Sequence, residues 1–232
     1  MNNFNVQPLK IGHRGAKGYV AENTLESIQQ AIDFGVDGIE IDVHLCASGE
    51  LVVFHDFTLD RMTNASGSIE NFTLQALKNV KVNKKYSVPT LQEVLDLIDK
   101  KCLLNIELKG INTASKTCEI IQSYIKNKLW NYSDFIVSSF QHHELEDVFK
   151  IDKNIPLGVL TNANVYEALE FGQKINAVAI HPNFALLTLD NVNEVQEKGL
   201  KVNTWTVNDK KTINRMKTYG VNAIISDYPD RL

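Results

Sequence analysis

The chain has 232 residues, 44% hydrophobic and 22% charged, with a formal net charge of -4; this is the profile of a soluble globular protein able to bury a full core. The charge excludes a basic footprint for nucleic acid, so an anionic ligand has to be held by local groups or a metal ion. Three cysteines, Cys46, Cys102 and Cys118, show no CxxC spacing, which argues against a disulfide framework and for a reducing compartment. Met1 to Lys10 lacks the basic-then-apolar order of a secretory leader. No apolar run reaches the roughly 18–20 residues of a membrane span, so a cytoplasmic location is expected.

In chain order, short apolar runs alternate with amphipathic stretches. The runs are Leu9–Gly12, Gly38–Val43, Leu103–Leu108, Phe135–Ser139, Leu157–Leu160, Ala177–Ile180, Val202–Val207 and Ala223–Ser226. Helical patterns cover Thr24–Phe34, Leu91–Asp99, Thr113–Lys126, His142–Lys150, Val165–Phe171, Leu189–Lys198 and Lys210–Tyr219. Strands rich in Val and Ile that alternate with helices predict a parallel sheet covered by helices. Eight of them predict a TIM-type (β/α)8 barrel of one domain over 1–232, with a doubly wound open sheet as the alternative. One connection is long. Between the second and third barrel strands, Glu40–Asp56 reads as a hairpin, and about 57–89 as a small inserted subdomain over the barrel mouth. Thr90 then reads as a helix N-cap, with Glu93 three residues on in the capping-box position.

Polar residues interrupt these strands mainly at their C-terminal ends. The first ends on His13 and Arg14, and the hairpin strand on His55-Asp56. The second carries Glu40 and Asp42, and the third Glu107 and Lys109; each pair is two apart and so shares a face. The sixth ends on His181 and the seventh on Trp205. In a barrel the C-terminal strand ends form the active-site face. Three carboxylates without a cysteine describe an oxygen-ligand site for one divalent cation, Mg2+ or Ca2+ rather than Zn2+. Arg14 and Lys109 add positive charge suited to a phosphate oxyanion, and His13 and His55 can serve as general acid and base. The sum is metal-assisted phosphoryl transfer. Each piece alone has a plainer reading: a Glu-x-Asp on a solvated face, a histidine that only hydrogen-bonds, and Trp205 or Phe140 as packing. Their co-occurrence at strand ends favours the site. His44, His142 and His143 read as surface residues, and Cys46 as incidental.

These stretches resemble the glycerophosphodiester phosphodiesterase family, within the phospholipase-C-like phosphodiesterases. The matching segments are GHRGAKGYVAENT (12–24), GIEIDV (38–43), LVVFHDFTLDRMTNASG (51–67), VPTLQEVL (88–95), LNIELK (104–109), VSSF (137–140), HP (181–182), VNTWTVN (202–208) and ISDYPD (225–230). One departure is the hairpin turn, CASGE here where the family commonly has a Thr-x-Asp-Gly type turn. The resemblance implies a hydrolase of glycerol and lipid metabolism that converts a small-molecule glycerophosphodiester to glycerol 3-phosphate and an alcohol. It implies His13 and His55 as the catalytic pair, Arg14, Lys109 and Trp205 as phosphate or substrate contacts, and Glu40, Asp42 and Glu107 as metal ligands. Glu22, Asn23, His181 and Phe140 are then supporting residues. The nucleophile is either water or the substrate's own 2-hydroxyl, which would gain from proximity; which histidine is acid and which base stays open. Two rival functions are weighed: lysophospholipase D-type activity, with Phe57, Met62, Phe72 and Leu74 as candidates for an apolar groove, and a catalytically silent barrel that binds a phosphorylated ligand.

Overall fold

The computed structural model describes residues 7–232, so the first six, on which part of the leader expectation rests, lie outside the described residues. Among the described residues there are nine strands: β1 (Leu9–His13), β2 (Gly38–Leu45), β3 (Leu51–Val53), β4 (Leu103–Leu108), β5 (Phe135–Ser139), β6 (Leu157–Thr161), β7 (Ala179–Pro182), β8 (Lys201–Thr204) and β9 (Ala223–Ser226). Eight of them run parallel in the order β1-β9-β8-β7-β6-β5-β4-β2, and β2 pairs back onto β1 through Ile11↔Gly38, Gly12↔Ile39 and His13↔Glu40. That pairing closes the sheet into a barrel and rules out the doubly wound alternative. The ninth strand, β3, runs antiparallel to the C-terminal end of β2, where β2 rises above the barrel.

The helices are α1 (Leu25–Asp33), α2 (Leu74–Asn79), α3 (Leu91–Ile98), α4 (Ala114–Lys128), α5 (His142–Ile151), α6 (Val165–Lys174), α7 (Leu189–Glu197) and α8 (Lys210–Tyr219). Their starts follow local chemistry. The Thr24 hydroxyl accepts from the Ser27 N–H at 3.2 Å. Thr90 and Glu93 make the full capping box expected from the sequence. Helix α4 has no such cap of its own; instead the buried Glu144 of α5 accepts from the N–H groups of Thr113 and Ala114 at 3.0 and 2.8 Å. A carboxylate there satisfies orphan donors and complements the positive helix end.

The two faces of each strand divide the labour. Outward residues such as Ile39, Ile41, Ile106, Val137, Val159 and Ile180 are completely buried beneath the helices. Each such aliphatic side chain contributes on the order of 1.5–3 kcal/mol by leaving water. Toward the mouth the inward faces carry the polar residues, and Ile11, Ala223 and Ile225 form a small apolar cluster of their own within the barrel. The apolar core therefore lies between strands and helices, which leaves the barrel interior free to hold charge.

Residues 57–89 sit beside the mouth around a separate apolar cluster that includes Leu59, Ile69, Leu77, Val82 and Val88, and β3 contributes Val52 to it. Met62, Phe72 and Leu74 pack against this cluster, whereas Phe57 stays exposed. His44 is a correction. It is 2% exposed, not a surface residue, because β3 and the segment after it fold over that face of β2. Its Nε2–H donates to the His55 carbonyl at 3.2 Å, and its ring meets Phe57 edge-on at 5.1 Å.

Candidate active site

The acidic cluster follows from strand register. Asp42 on β2 stands opposite Glu107 on β4, and Glu40 opposite Asn105. Glu40, Asp42 and Glu107 all point into the barrel and offer carboxylate oxygens within 4.8 Å of one another. They are 4%, 1% and 8% exposed, so their charges are both crowded and desolvated. Burial, reinforced by the neighbouring Asp42 and Glu107 charges, raises the Glu40 carboxyl well above its ordinary value. Burial and then Asp42 push Glu107 up to about 7, against the pull of Lys109. Glu40 Oε1 and Asp42 Oδ1 are buried without a hydrogen-bond partner. Orphaned buried acceptors and mutually repelling carboxylates fit a hard divalent cation held by oxygen.

Two histidines flank this cluster, each oriented by its own carboxylate. His13, at the end of β1, donates Nδ1–H to Asp227 Oδ1 at 2.6 Å, and its Nε2 lies 3.9 Å from Glu40 Oε2. Asp227 follows β9 and is itself held by Asn208, whose Nδ2 donates to Asp227 Oδ2 at 2.9 Å. The Asn208 carbonyl oxygen is filled by the Asp227 N–H and the Ser226 hydroxyl. Burial pushes Asp227 up, but its bonds to His13 and Asn208 outweigh this and hold it at about 2. His55, just past β3, donates Nδ1–H to Asp56 Oδ1, also at 2.6 Å. Burial holds both imidazoles below the ordinary value.

Arg14 turns the chain sharply out of β1 with φ of 51°, a left-handed conformation that is costly for a side-chain-bearing residue and is common at functional sites. Its carbonyl accepts from the Ser27 hydroxyl and the Asn23 N–H. Its own N–H donates to Glu40 Oε2 at 2.9 Å. The guanidinium bonds Glu22 Oε1 at 2.8 Å and lies 3.3 Å from Asp42. Glu22 and Asn23 therefore act on different partners. Glu22 pairs with Arg14, whereas the Asn23 amide donates to Asp42 Oδ2 at 2.8 Å. Lys109 Nζ sits 3.0 Å from Glu107 and 3.9 Å from Asp42.

These groups open into a cavity of about 270 Å3 lined by His13, Arg14, Glu40, His55, Glu107 and Lys109 among others. Across the barrel from β2, Leu160, Asn162, Trp205 and Thr206 form the far wall, with Phe140 beside them. Trp205 is fixed there, since its indole N–H donates to the His181 carbonyl at 2.7 Å and its ring meets Phe140 edge-on at 5.6 Å. His181 itself is not in this cavity. It lies 1% exposed inside the barrel below it. Asn203 donates to its Nε2 at 3.1 Å, and burial pushes it down to about 4, so it stays neutral at physiological pH.

Sequence reasoning passed over several groups. Asp227 and Asn208 were both legible as polar residues just past barrel strands, the same signal that marked His13 and His55. Asp56 was seen only as the neighbour of His55. Lys17, 3.7 Å from Glu22, and Arg61, in the segment over the mouth, carried no periodic signal at all.

Comparison with known proteins identifies the family and the fold. The model of the glycerophosphoryl diester phosphodiesterase family matches residues 13–231. A glycerophosphodiester phosphodiesterase of Caldanaerobacter subterraneus is 37% identical over 98% of this chain and 97% of its own length. One from Bacillus altitudinis is 33% identical, covering 95% of each. Among solved structures, an Oleispira antarctica phosphodiesterase in complex with the product sn-glycerol-3-phosphate superposes with a TM-score of 0.89 at 27% identity, over 98% of this chain and 96% of that one. No helix among the described residues is long and apolar enough to cross a membrane.

Proposed function

The chain belongs to the glycerophosphoryl diester phosphodiesterase family, and on that premise we propose that it hydrolyses glycerophosphodiesters to glycerol 3-phosphate and a free alcohol in the cleft at the barrel mouth. It is a phosphoric diester hydrolase of this family. One observation carries the reading. Two imidazoles, each with Nδ1 tied to a carboxylate, line the same cleft as the buried carboxylates Glu40 and Glu107, whose cluster Asp42 completes, and two cationic side chains. A carboxylate on Nδ1 fixes the tautomer and leaves Nε2 to handle a proton.

In this reading His13 and His55 are the proton-transfer pair. One takes the proton of the attacking oxygen, and the other donates to the leaving alcohol oxygen. Arg14 and Lys109 hold phosphoryl oxygens, and Trp205 and Phe140 shape the wall against which the organic part of the substrate rests. Glu40, Asp42 and Glu107 would hold the cation. Mg2+ or Ca2+ bound there supplies charge neutralisation for the phosphoryl group. Glu22 and Asn23 support Arg14 and Asp42, and His181 braces Trp205 through its carbonyl. Residues 57–89 form a small subdomain inserted in a single barrel domain and border the cleft.

The test is release of glycerol 3-phosphate from glycerophosphocholine and other glycerophosphodiesters, with and without EDTA. Activity that chelator abolishes and Mg2+ or Ca2+ restores is expected. His13→Ala or His55→Ala lowers turnover about 10²–10⁴-fold while cation binding survives. No product from any glycerophosphodiester, or full activity in EDTA, overturns the reading. A second reading extends the substrate to lysophospholipids. A recess of about 210 Å3 lined by Phe57, Leu108 and Phe140 adjoins Lys109, and Phe57 is 54% exposed. The ratio of rates on lysophosphatidylcholine and glycerophosphocholine decides between them.

A further inference from the structure

The two imidazole–carboxylate pairs are anchored differently. Behind His13, Asp227 is locked from within the barrel by Asn208, whose own amide orientation is dictated by the Asp227 N–H and the Ser226 hydroxyl. Behind His55, Asp56 has no barrel group. Among the described residues its side chain bonds only His55 and Arg61. Arg61 grips it side-on, with Nε 2.5 Å from Oδ2 and Nη2 2.9 Å from Oδ1. The same Nη2 donates to Glu22 Oε1 at 2.6 Å, the oxygen that also receives Arg14 Nη1. One guanidinium thus joins the carboxylate that orients His55 to the carboxylate that orients Arg14.

The backbone of Arg61 is suited to hold this position. Leu59, completely buried in the cluster of segment 57–89, anchors the turn. Its N–H donates to the Gly67 carbonyl at 3.0 Å, and its carbonyl accepts from the Thr63 hydroxyl at 2.8 Å. The rigid turn delivers a planar fork to two carboxylates. Lysine cannot reproduce this, because its ammonium is a single point charge without the fork.

We propose that Arg61 is a positioning residue for phosphodiester hydrolysis: it fixes the Asp56–His55 pair and couples that pair, through Glu22, to Arg14. The proposal rests on the reading of His55 as a proton-transfer group. The loss of a group that orients a catalytic side chain through another residue is expected to cost about 10–100-fold in activity, as for other outer-shell partners.

The test uses the full chain with Arg61→Met, Arg61→Lys, Asp56→Asn and the double variant Asp56→Asn/Arg61→Met. Both single Arg61 variants should lower kcat about 10–100-fold at an unchanged thermal midpoint. Millimolar guanidinium should restore Arg61→Met, and should restore neither Arg61→Lys nor Asp56→Asn. The double variant should be no slower than Asp56→Asn alone, because residues acting through one another do not add. The proposal is overturned if kcat of Arg61→Met stays within threefold of wild type, or if the Asp56 and Arg61 losses multiply. A wild type inactive on every glycerophosphodiester defeats the functional reading separately. In that case the slowly exchanging Nδ1–H signal of His55 in the NMR spectrum still decides: it should be present in wild type and lost in Arg61→Met. Its persistence in the variant, or its absence from wild type, overturns the positioning role of Arg61.

Discussion

Replacing Asp227 with Asn should disable His13 without disturbing the fold, and the hydrogen bonds say how. The Asn208 carbonyl oxygen already accepts from the Asp227 N–H at 2.9 Å and the Ser226 hydroxyl at 3.1 Å, so its Nδ2 must face the side chain at 227 as a donor. In Asp227→Asn the introduced amide has to turn its oxygen toward that donor. Its NH2 then faces His13 Nδ1, where the wild-type carboxylate accepts at 2.6 Å. Two donors cannot share that contact, so Nδ1 becomes the acceptor and the imidazole proton moves to Nε2 on the cleft side. A histidine protonated there cannot act as a base. It is also a poor acid, because the negative charge that would stabilise its imidazolium is gone. Whichever role His13 has, the expected loss is about 10²–10⁴-fold in kcat, or roughly 3–5.5 kcal/mol of barrier. Initial rates on glycerophosphocholine, read as glycerol 3-phosphate, measure it, with the thermal midpoint as a control on folding. A variant within threefold of wild type refutes the tautomer argument.

Other consequences follow from the same contacts. Burial pushes Glu22 up, but Arg61, Arg14 and Lys17 outweigh this and hold it at about 2; a carboxyl depressed on folding contributes stability that is complete above its unfolded value near 4.5 and is lost as pH falls toward 2. Glu22→Gln should flatten the decline of the urea midpoint between pH 4.5 and 2.5, and an unchanged slope excludes the network as its source. At Gly158 a Cβ would come 2.6 Å from Nε2 of the buried His181, so Gly158→Ala should cost about 1–3 kcal/mol and lower the thermal midpoint by roughly 2–4 °C for each kcal/mol; an unshifted midpoint contradicts the packing. Because Glu40 is raised and Glu107 stands at about 7, uptake of Mg2+ or Ca2+ at neutral pH should expel protons. Calorimetric heats that differ between buffers of different ionisation enthalpy report this, and identical heats rule it out.

The barrel was legible because its signal is local. Runs such as Ile39–Val43 and Leu104–Leu108 carry both the aliphatic outward face and the acidic inward face, and a spacing of two assigns each side chain to its face. Closure was not legible. It depends on β1 meeting β2 at Ile11↔Gly38, a pairing that no single run encodes. His44 shows a second limit. Its spacing puts it on the face of Glu40 and Asp42, at the end of β2 beyond the barrel, and only the folded chain shows that the segment after β3 covers it there through the His55 carbonyl and Phe57. One strand end shifted: β8 stops at Thr204 rather than running on to Val207, with Trp205 keeping a single parallel bridge to Asn183 beyond it. Within the site, the residues on strands and strand ends were named from their position, and of those that hold them Glu22 and Asn23 were named only through the family resemblance while Asp227, Asn208 and Arg61 were not. Asp227 shared the positional signal and lacked only a partner to give it meaning. Arg61 had neither, since residues 57–89 fold around their own small cluster and follow no barrel period.

The charges at the mouth bear on the order in which ligands arrive. Of six carboxylates at the mouth, Glu22, Asp42, Asp56, Glu107 and Asp227 are linked by ion pairs to four cations, Arg14, Lys17, Arg61 and Lys109, while Glu40 accepts from the Arg14 backbone N–H and lies against His13. The outer carboxylates are satisfied. Glu22 and Asp56 share Arg61, and Asp227 has His13 and Asn208. The deficit of two positive charges therefore falls on Glu40, Asp42 and Glu107, where two oxygens have no partner. Without a cation the relief available is protonation, which is why Glu40 and Glu107 are raised. A mouth with that surplus repels a phosphodiester anion, and Lys109 is drawn down onto Glu107 rather than offered to a ligand. On the proposed reading, one divalent cation bound there would cancel the surplus of two charges and release Lys109 from its role as counter-ion. Cation binding would then be the condition for anion binding, and the carboxylates that repel one another in its absence would be the reason it binds at that one place.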